Sequence, residues 1–91
     1  MESRLRIVVH GTVQGVFFRA NAEEQARRFN LRGWVMNRSD GSVEILAEGD
    51  KEALKRFVEW CSQGPRGAKV EKVDEEWLEA TGEFREFGIK Y

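Results

Sequence analysis

The sequence predicts an α+β fold in which one antiparallel sheet of four to five strands carries two helices on one face. Three observations support this class: segments with alternating apolar residues, two segments with apolar residues at helical spacing, and the order of these segments along the 91 residues. A chain of this length forms one domain, and we expect that domain to span residues 1–91.

The first predicted strand and the first predicted helix are joined by a loop that contains glycine. Apolar residues alternate over Leu5–Val9, as in a strand with one buried face. Apolar residues then recur at helical spacing between charged ones, which predicts an amphipathic helix that begins at Arg19 or Ala20. Asn30 or Gly33 is placed to end this helix.

The next segment predicts an antiparallel hairpin. Strand-forming residues occupy Gly33–Asn37, and Asp40-Gly41 is a typical dipeptide of a tight hairpin turn. Alternating residues over Ser42–Glu48 predict the third strand, which we expect Gly49 to end.

A second helix follows directly. Asp50 is a good N-cap residue, and Gly64-Pro65 is a typical helix end. Between them a clean apolar face has the spacing i, i+3, i+4, i+7, formed by Leu54, Phe57, Val58 and Cys61.

The last third of the chain has a less regular pattern. Its apolar residues fit two strands or one bulged strand pair, with a turn near Gly82. The resulting order is β-α-β-β-α-β with an added C-terminal strand. This is the order of the ferredoxin-like split-βαβ sandwich.

Composition narrows the class of protein. Fifteen basic and sixteen acidic residues give a net charge of −1, whereas a dedicated nucleic-acid binder usually has a strong basic excess. Cys61 is the only cysteine, so no intramolecular disulfide forms, which favours a reducing compartment. We see no signal peptide or long apolar segment, and we therefore expect a cytoplasmic protein with no membrane partner.

The segment Gly11–Arg19 is the strongest functional signal in the chain. Two glycines allow a tight backbone, and the amides that follow meet the positive end of the next helix. This predicts a site for a phosphate-sized anion, although the same glycine spacing is also found in plain turns. No Lys-Ser or Lys-Thr follows the second glycine and no cysteine lies in the loop, so a nucleotide-type P-loop and a phosphocysteine mechanism are excluded.

Arg19 and Asn37 are the two side chains to which we assign chemistry. Arg19 in the first turn of a helix opposes the helix dipole at a cost of ~0.3–1 kcal/mol, and a bound anion would remove that conflict. Asn37 stands at the end of the second strand, where asparagine is also common for turn formation. Its amide donates and accepts at once, so it is able to orient a water against a bound phosphoryl group.

Other kinds of site have less support. His10 directly precedes the loop, where a lone histidine is more often structural than catalytic. No histidine, cysteine or carboxylate cluster has metal-ligand spacing, so we predict no metal and no cofactor. Ser39 and Ser42 lack evident histidine and acidic partners, which disfavours a serine nucleophile.

Two segments of the chain resemble the signatures of the acylphosphatase family. The first signature is matched by Gly11-x-Val13-Gln14-Gly15-Val16-x-Phe18-Arg19. The second extends from Gly33-Trp34 through Asn37 and Gly41 to Gly49. Both occur in order and without a gap, and the resemblance covers nearly the whole chain.

The resemblance implies hydrolysis of acyl phosphates to a carboxylate and inorganic phosphate, with no metal or cofactor. Carried over by motif position, Arg19 binds the substrate phosphate and Asn37 orients the water. The backbone amides that complete the phosphate site are those of Gln14, Gly15, Val16, Phe17 and Phe18. The family fold is ferredoxin-like, as the element order also predicts. In some relatives the chain terminus lies near the catalytic arginine, so the Tyr91 carboxylate is a candidate to orient Arg19.

Two alternatives remain open at the level of sequence. The first is a non-catalytic ferredoxin-like module that binds RNA or a regulatory ligand, but Ser42–Glu48 has no aromatic residue and Trp34 is the only one in the second strand. The second is a related domain that acts on carbamoyl phosphate within a larger maturation enzyme. We expect instead that these 91 residues stand alone, without a second domain. A small acyl phosphate is the expected partner, without nucleic acid.

Overall fold

The computed structural model describes residues 1–91 and contains five strands and two helices. In chain order they are β1 (Glu2–Thr12), α1 (Phe18–Arg28), β2 (Arg32–Asn37), β3 (Val43–Asp50), α2 (Lys51–Gln63), β4 (Lys69–Leu78) and β5 (Phe87–Lys90).

The five strands form one sheet with the order β4-β1-β3-β2-β5. β1 is antiparallel to both β3 and β4, and β2 is antiparallel to β3. β5 instead runs parallel to β2, with Gly33 opposite Phe87. The predicted α+β, ferredoxin-like class is confirmed, and the sheet is mixed at this one edge rather than antiparallel throughout.

The expected turn near Gly82 required the last two strands to pair with each other, and they do not. β4 adds to the free edge of β1 and β5 adds to the free edge of β2, so the two lie at opposite edges of the sheet. Residues 79–86 connect these edges. Gly82 lies within this crossing, which passes over the sheet face opposite the helices and contacts Arg4 and Glu48 there.

Both helices pack against the same face of the sheet, and one apolar core lies between them. The alternation predicted for β1 is confirmed, because Leu5, Ile7 and Val9 are fully buried. The predicted apolar face of α2 is also buried. Its Phe57 ring lies 6.2 Å from Phe87 on β5, so the core joins the second helix to the edge strand. Truncation of a buried phenylalanine of this kind to alanine typically costs about 3–5 kcal/mol.

The ends of the helices follow local signals. The Asp50 side chain accepts a hydrogen bond from the Glu52 amide at the start of α2, and Gly64 ends that helix, both as predicted. α1 begins one residue before Arg19 and ends at Arg28. Asn30, the predicted end, has left-handed backbone with φ of 58° and therefore does not continue the helix.

A buried carboxylate anchors the crossing segment. Glu48 on β3 is inaccessible to solvent and accepts hydrogen bonds from the Arg4 guanidinium and from the amides of Thr81 and Gly82. Burial by itself raises the pKa of Glu48, but the amide of Thr81, the Arg4 side chain and the amide of Gly82 outweigh it and lower the pKa to about 2. Glu48 therefore fixes the path along which the chain reaches β5.

Candidate active site

A cavity of about 280 Å³ lies where four parts of the fold meet. Its walls are the loop after β1, the first turn of α1, the end of β2 and the end of β5. The predicted Arg19 and Asn37 both line it, together with Gln14, Gly15 and Phe17 of the loop. The structure thus brings residues from both sequence motifs to one site.

The loop itself is shorter than the sequence indicated. β1 continues to Thr12, and Gly11 lies inside the strand opposite Val70 of β4, where a Cβ atom would be 2.1 Å from the Lys69 carbonyl oxygen. Gly11 is therefore required for strand pairing, and the free loop consists of residues 13–17.

The backbone of this loop has the form of an anion site. Gly15 and Phe17 have positive φ angles of 76° and 61°, and Val16 between them does not. Such alternation turns successive amides toward one side. None of the backbone N–H groups from Gln14 to Arg19 donates to another group of the protein. Each of these amides is a donor without a protein acceptor, and all of these residues except Val16 line the cavity.

Arg19 is a half-buried cation without an acidic partner. Its guanidinium carbon lies 5.2 Å from the centre of the Tyr91 ring. The resemblance noted above made the Tyr91 carboxylate a candidate for this contact, whereas the aromatic ring makes it and no ion pair joins the two groups. The first turn of α1 contains no acidic residue, so positive charge accumulates at this helix end.

Asn37 is the last residue of β2 and lies opposite Val43 of β3. Its amide oxygen is buried, and no protein group donates a hydrogen bond to it. A buried acceptor without a donor costs about 1–3 kcal/mol, which makes this atom an exception that calls for a reason.

The Gln14 side chain has a role that the sequence did not reveal. Its amide nitrogen donates to the carbonyl oxygens of Arg38 and Ser42, at 2.7 and 2.9 Å. These two carbonyls belong to the turn that follows Asn37. The loop of residues 13–17 is therefore tied to the segment that carries Asn37. Glutamine followed by glycine gave no sequence signal for such a contact, since its acceptors are backbone atoms of a distant turn.

Several other side chains lie outside this site. His10 forms a hydrogen bond with Asp74 on β4, at 3.0 Å, and does not line the cavity. Burial raises the pKa of the Cys61 thiol within the core, so this cysteine is not a nucleophile. No three histidine, cysteine or acidic side chains lie close enough together to hold a metal ion. Neither helix has the length and apolar character needed to span a membrane.

The sheet face opposite the helices carries ion pairs. Arg4 pairs with Glu48, and Arg6 pairs with Glu44 at 2.7 Å. The Lys90 ammonium lies 4.8 Å from the centre of the Trp34 ring and covers it. The central strands therefore present charged side chains where RNA-binding domains of this topology present aromatic rings.

Comparison with known proteins agrees with the fold. The family model described as Acylphosphatase matches residues 5–89. An acylphosphatase of Pelotomaculum thermopropionicum is 46% identical over 89 residues, covering 98% of this chain and 97% of that protein. The crystal structure of acylphosphatase from Bacillus subtilis superposes with a TM-score of 0.94 at 42% identity and covers both chains completely. Full-length HypF, in a phosphate- and nucleotide-bound crystal structure, aligns with a TM-score of 0.91 at 27% identity, but the chain covers only 12% of it.

The fold and the cavity together define a small α+β protein with a cavity lined by unpaired backbone donors and an unpaired arginine. The family model and the high-coverage relatives make the class specific: the chain belongs to the acylphosphatase family. It is accordingly a hydrolase that acts on acyl phosphates.

Proposed function

We propose that this chain hydrolyses acyl phosphates without a metal ion, with the phosphoryl group held by the loop amides and Arg19 and the attacking water oriented by Asn37. The observation that carries the proposal is the convergence of unpaired donors at one cavity. Backbone amides from Gln14 to Phe18 and the Arg19 guanidinium all lack protein acceptors there.

The phosphoryl group has three equatorial oxygens over which charge spreads in a loose transition state. The loop amides supply several neutral donors, and Arg19 supplies a fork of charged donors that fits two oxygens at once. These groups are fixed by the fold before substrate binds, so little reorganisation accompanies the reaction. Together they provide the positive potential that a metal ion supplies in other phosphoryl-transfer enzymes.

Asn37 is assigned to the water because its amide oxygen lacks a donor. A water that donates to this oxygen directs a lone pair away from the amide and toward the phosphorus. The tie between Gln14 and the Arg38 carbonyl holds the Asn37 segment against the phosphate loop. The water oxygen and the phosphorus are then held at a fixed distance and orientation, which is the main requirement for this reaction.

The chemistry needs no strong general base. The water oxygen forms a bond to phosphorus while the bond between phosphorus and the carboxylate oxygen breaks. The carboxylate leaves with the bonding electron pair and is already a stable anion. In our proposal a phosphoryl oxygen takes the proton of the water, which yields a carboxylate and inorganic phosphate. A pH–rate profile that requires a protein base titrating near neutrality would contradict this step.

The test is hydrolysis of benzoyl phosphate by the purified chain in the presence of EDTA. Arg19→Ala is compared with Arg56→Ala, which removes an exposed arginine of α2 away from the cavity. We expect turnover by the wild type and by Arg56→Ala, and a loss of at least about 100-fold in Arg19→Ala. Turnover that EDTA abolishes and Mg²⁺ restores would overturn metal independence. Equal activity of the two variants would overturn the role of Arg19.

A further inference from the structure

We propose that the Phe17 and Tyr91 side chains form an aromatic rim that binds the acyl part of the substrate, so that the enzyme favours neutral aromatic or bulky apolar acyl phosphates. This inference rests on the proposed function, because it requires the phosphoryl group to lie at Arg19 and the loop amides. It extends that function from the phosphate, which all acyl phosphates share, to the group that distinguishes them.

Phe17 is in an unfavourable position for folding. Its φ of 61° places a bulky residue in left-handed backbone, which only glycine adopts without strain. Its ring is 79% exposed, so the core gains little from it. A glycine or asparagine would satisfy the same backbone at lower cost. The ring lines the cavity that contains Arg19, and contact with a ligand accounts for a side chain that the fold itself does not use.

Tyr91 supplies a second exposed ring at the same cavity. It is almost wholly accessible to solvent, and one face lies against the Arg19 guanidinium. Ile89, half-buried at the end of β5, adds apolar surface to the same wall. Two exposed aromatic side chains of a small protein thus meet at the one place where a substrate is proposed to bind.

The position of these rings fits the geometry of an acyl phosphate. The phosphoryl group faces the amides, so the acyl group on its fourth oxygen points away from them, toward the mouth of the cavity. Phe17 contributes both a backbone amide to the phosphate site and a ring close to that amide. In an acyl phosphate, the acyl carbon is likewise only a short distance from phosphorus. A flat apolar acyl group therefore meets the rim without leaving the phosphate site.

The charge of the cavity favours a neutral acyl group. Arg19 is the one charged side chain that lines it, and the proposed phosphoryl group uses that charge. No second cation is present in the wall for an additional carboxylate. Acyl groups that carry their own negative charge therefore gain nothing from this site and lose hydration on entering it.

The test compares kcat/KM for benzoyl phosphate and acetyl phosphate in the wild type, Phe17→Gly, Phe17→Tyr and Trp77→Ala. Glycine removes the ring and accepts the positive φ angle, so the variant retains the loop conformation. Tyrosine keeps a ring. Trp77→Ala removes a partly exposed ring of β4 at the sheet edge opposite β5, as a matched control. For each protein, kcat/KM for benzoyl phosphate is divided by kcat/KM for acetyl phosphate, and this ratio is compared with that of the wild type. The comparison cancels the different intrinsic reactivities of the two substrates.

We expect the benzoyl-to-acetyl ratio to fall about 5- to 20-fold in Phe17→Gly, mainly through KM for benzoyl phosphate, given partial loss of aromatic contact. Phe17→Tyr and Trp77→Ala are expected to retain the wild-type ratio. A wild-type ratio in Phe17→Gly, or an equal fall in Trp77→Ala, overturns the rim while leaving acyl phosphate hydrolysis intact. Failure of the wild type to hydrolyse either substrate overturns the proposed function, and the rim with it.

Discussion

The side-chain amide of Gln14 donates a hydrogen bond of 2.7 Å to the carbonyl oxygen of Arg38, the residue directly after Asn37. A second hydrogen bond from the same nitrogen reaches the Ser42 carbonyl at the other end of the turn. One side chain therefore joins the loop proposed to hold phosphate to the turn that follows the proposed water-orienting residue. In the proposed mechanism, the relative position of phosphorus and water depends on this tie.

Replacement of Gln14 tests the tie directly. We expect Gln14→Ala to lower kcat about 10-fold, since a misplacement of about 1 Å between reacting groups costs up to about 100-fold. Because the loop amides remain, inhibition by inorganic phosphate is expected to weaken less than kcat falls. Steady-state kinetics of benzoyl phosphate hydrolysis and phosphate inhibition measure both effects.

A double-mutant cycle distinguishes positioning from general loss of structure. If Gln14 acts through Asn37, the variant that lacks both side chains is hardly slower than Asn37→Ala alone. If the losses in kcat of Gln14→Ala and Asn37→Ala multiply in the double variant, the two side chains act independently, which would contradict the tie. Gln63→Ala, exposed at the end of α2 and away from the cavity, is the control for loss of a glutamine.

Asn37 is expected to affect the chemical step more than binding. Asn37→Ala removes the amide proposed to orient the water, so kcat should fall by about 100-fold. The phosphate cradle is unchanged, and the inhibition constant of inorganic phosphate is expected to stay within about twofold of wild type. A full kcat in Asn37→Ala, or a parallel loss of phosphate inhibition, would assign Asn37 a different role. Asn30→Gly, two residues after the end of α1, serves as the control, because glycine accepts the positive φ angle of Asn30.

The fold could be predicted wherever the signal was local. Alternation in β1, the Asp40-Gly41 turn and the apolar face of α2 each depend on neighbours within a few residues, and all three are confirmed. The edge to which β5 adds was not predictable in this way. β5 has only four residues, and its parallel pairing with β2 depends on a crossing of eight residues fixed by the buried Glu48. In the sequence, Glu48 looks like an ordinary solvent-facing residue of a half-buried strand.

The site was predictable to a similar extent. Arg19 and Asn37 belong to contiguous motifs, and the structure places both at one cavity. The contact between Arg19 and the Tyr91 ring, and the tie from Gln14 to the turn, join segments far apart in the chain. Such contacts are set by the arrangement of the strands in the sheet, which no local pattern describes.

The two glycines of the first motif have different functions, and one substitution at each separates them. Gly11→Ala places a Cβ atom 2.1 Å from the Lys69 carbonyl oxygen, so we expect roughly 3 kcal/mol or more of lost stability through broken strand pairing. Gly15→Ala meets no atom within 4 Å and has only the strain of its positive φ, roughly 1–2 kcal/mol. Urea unfolding measures both losses.

Activity separates the two glycine variants further. Gly15→Ala is expected to remain folded but to bind inorganic phosphate several-fold more weakly, because its loop relaxes toward a negative φ and the amides no longer converge. Normal phosphate inhibition in folded Gly15→Ala would show that the loop conformation is not needed for the anion. A Gly11→Ala variant as stable as wild type would contradict the close approach of β1 and β4.

The acid sensitivity of the fold is expected to depend on Glu48. Its pKa is about 2 in the folded protein, against 4.5 for an ordinary glutamate. Because the folded-state pKa is depressed, the ionised carboxylate stabilises the protein fully above pH 4.5, and this contribution is lost as the pH falls from about 4.5 to about 2. We expect the free energy of unfolding of the wild type to fall over this window by on the order of 2 kcal/mol from Glu48 alone.

Glu48→Gln removes this titration and leaves the Arg4 guanidinium without its buried partner. We expect the substitution to lower the free energy of unfolding at pH 7 by about 3 kcal/mol. Between pH 4.5 and 2, the free energy of unfolding of this variant should depend less on pH than that of the wild type. Asp50 and Asp74, whose pKa values are also lowered by hydrogen bonds, add the same background slope to both proteins. Urea unfolding at a series of pH values measures the difference, with Glu79→Gln as an exposed control. Parallel curves for wild type and Glu48→Gln would show that another carboxylate determines the acid transition.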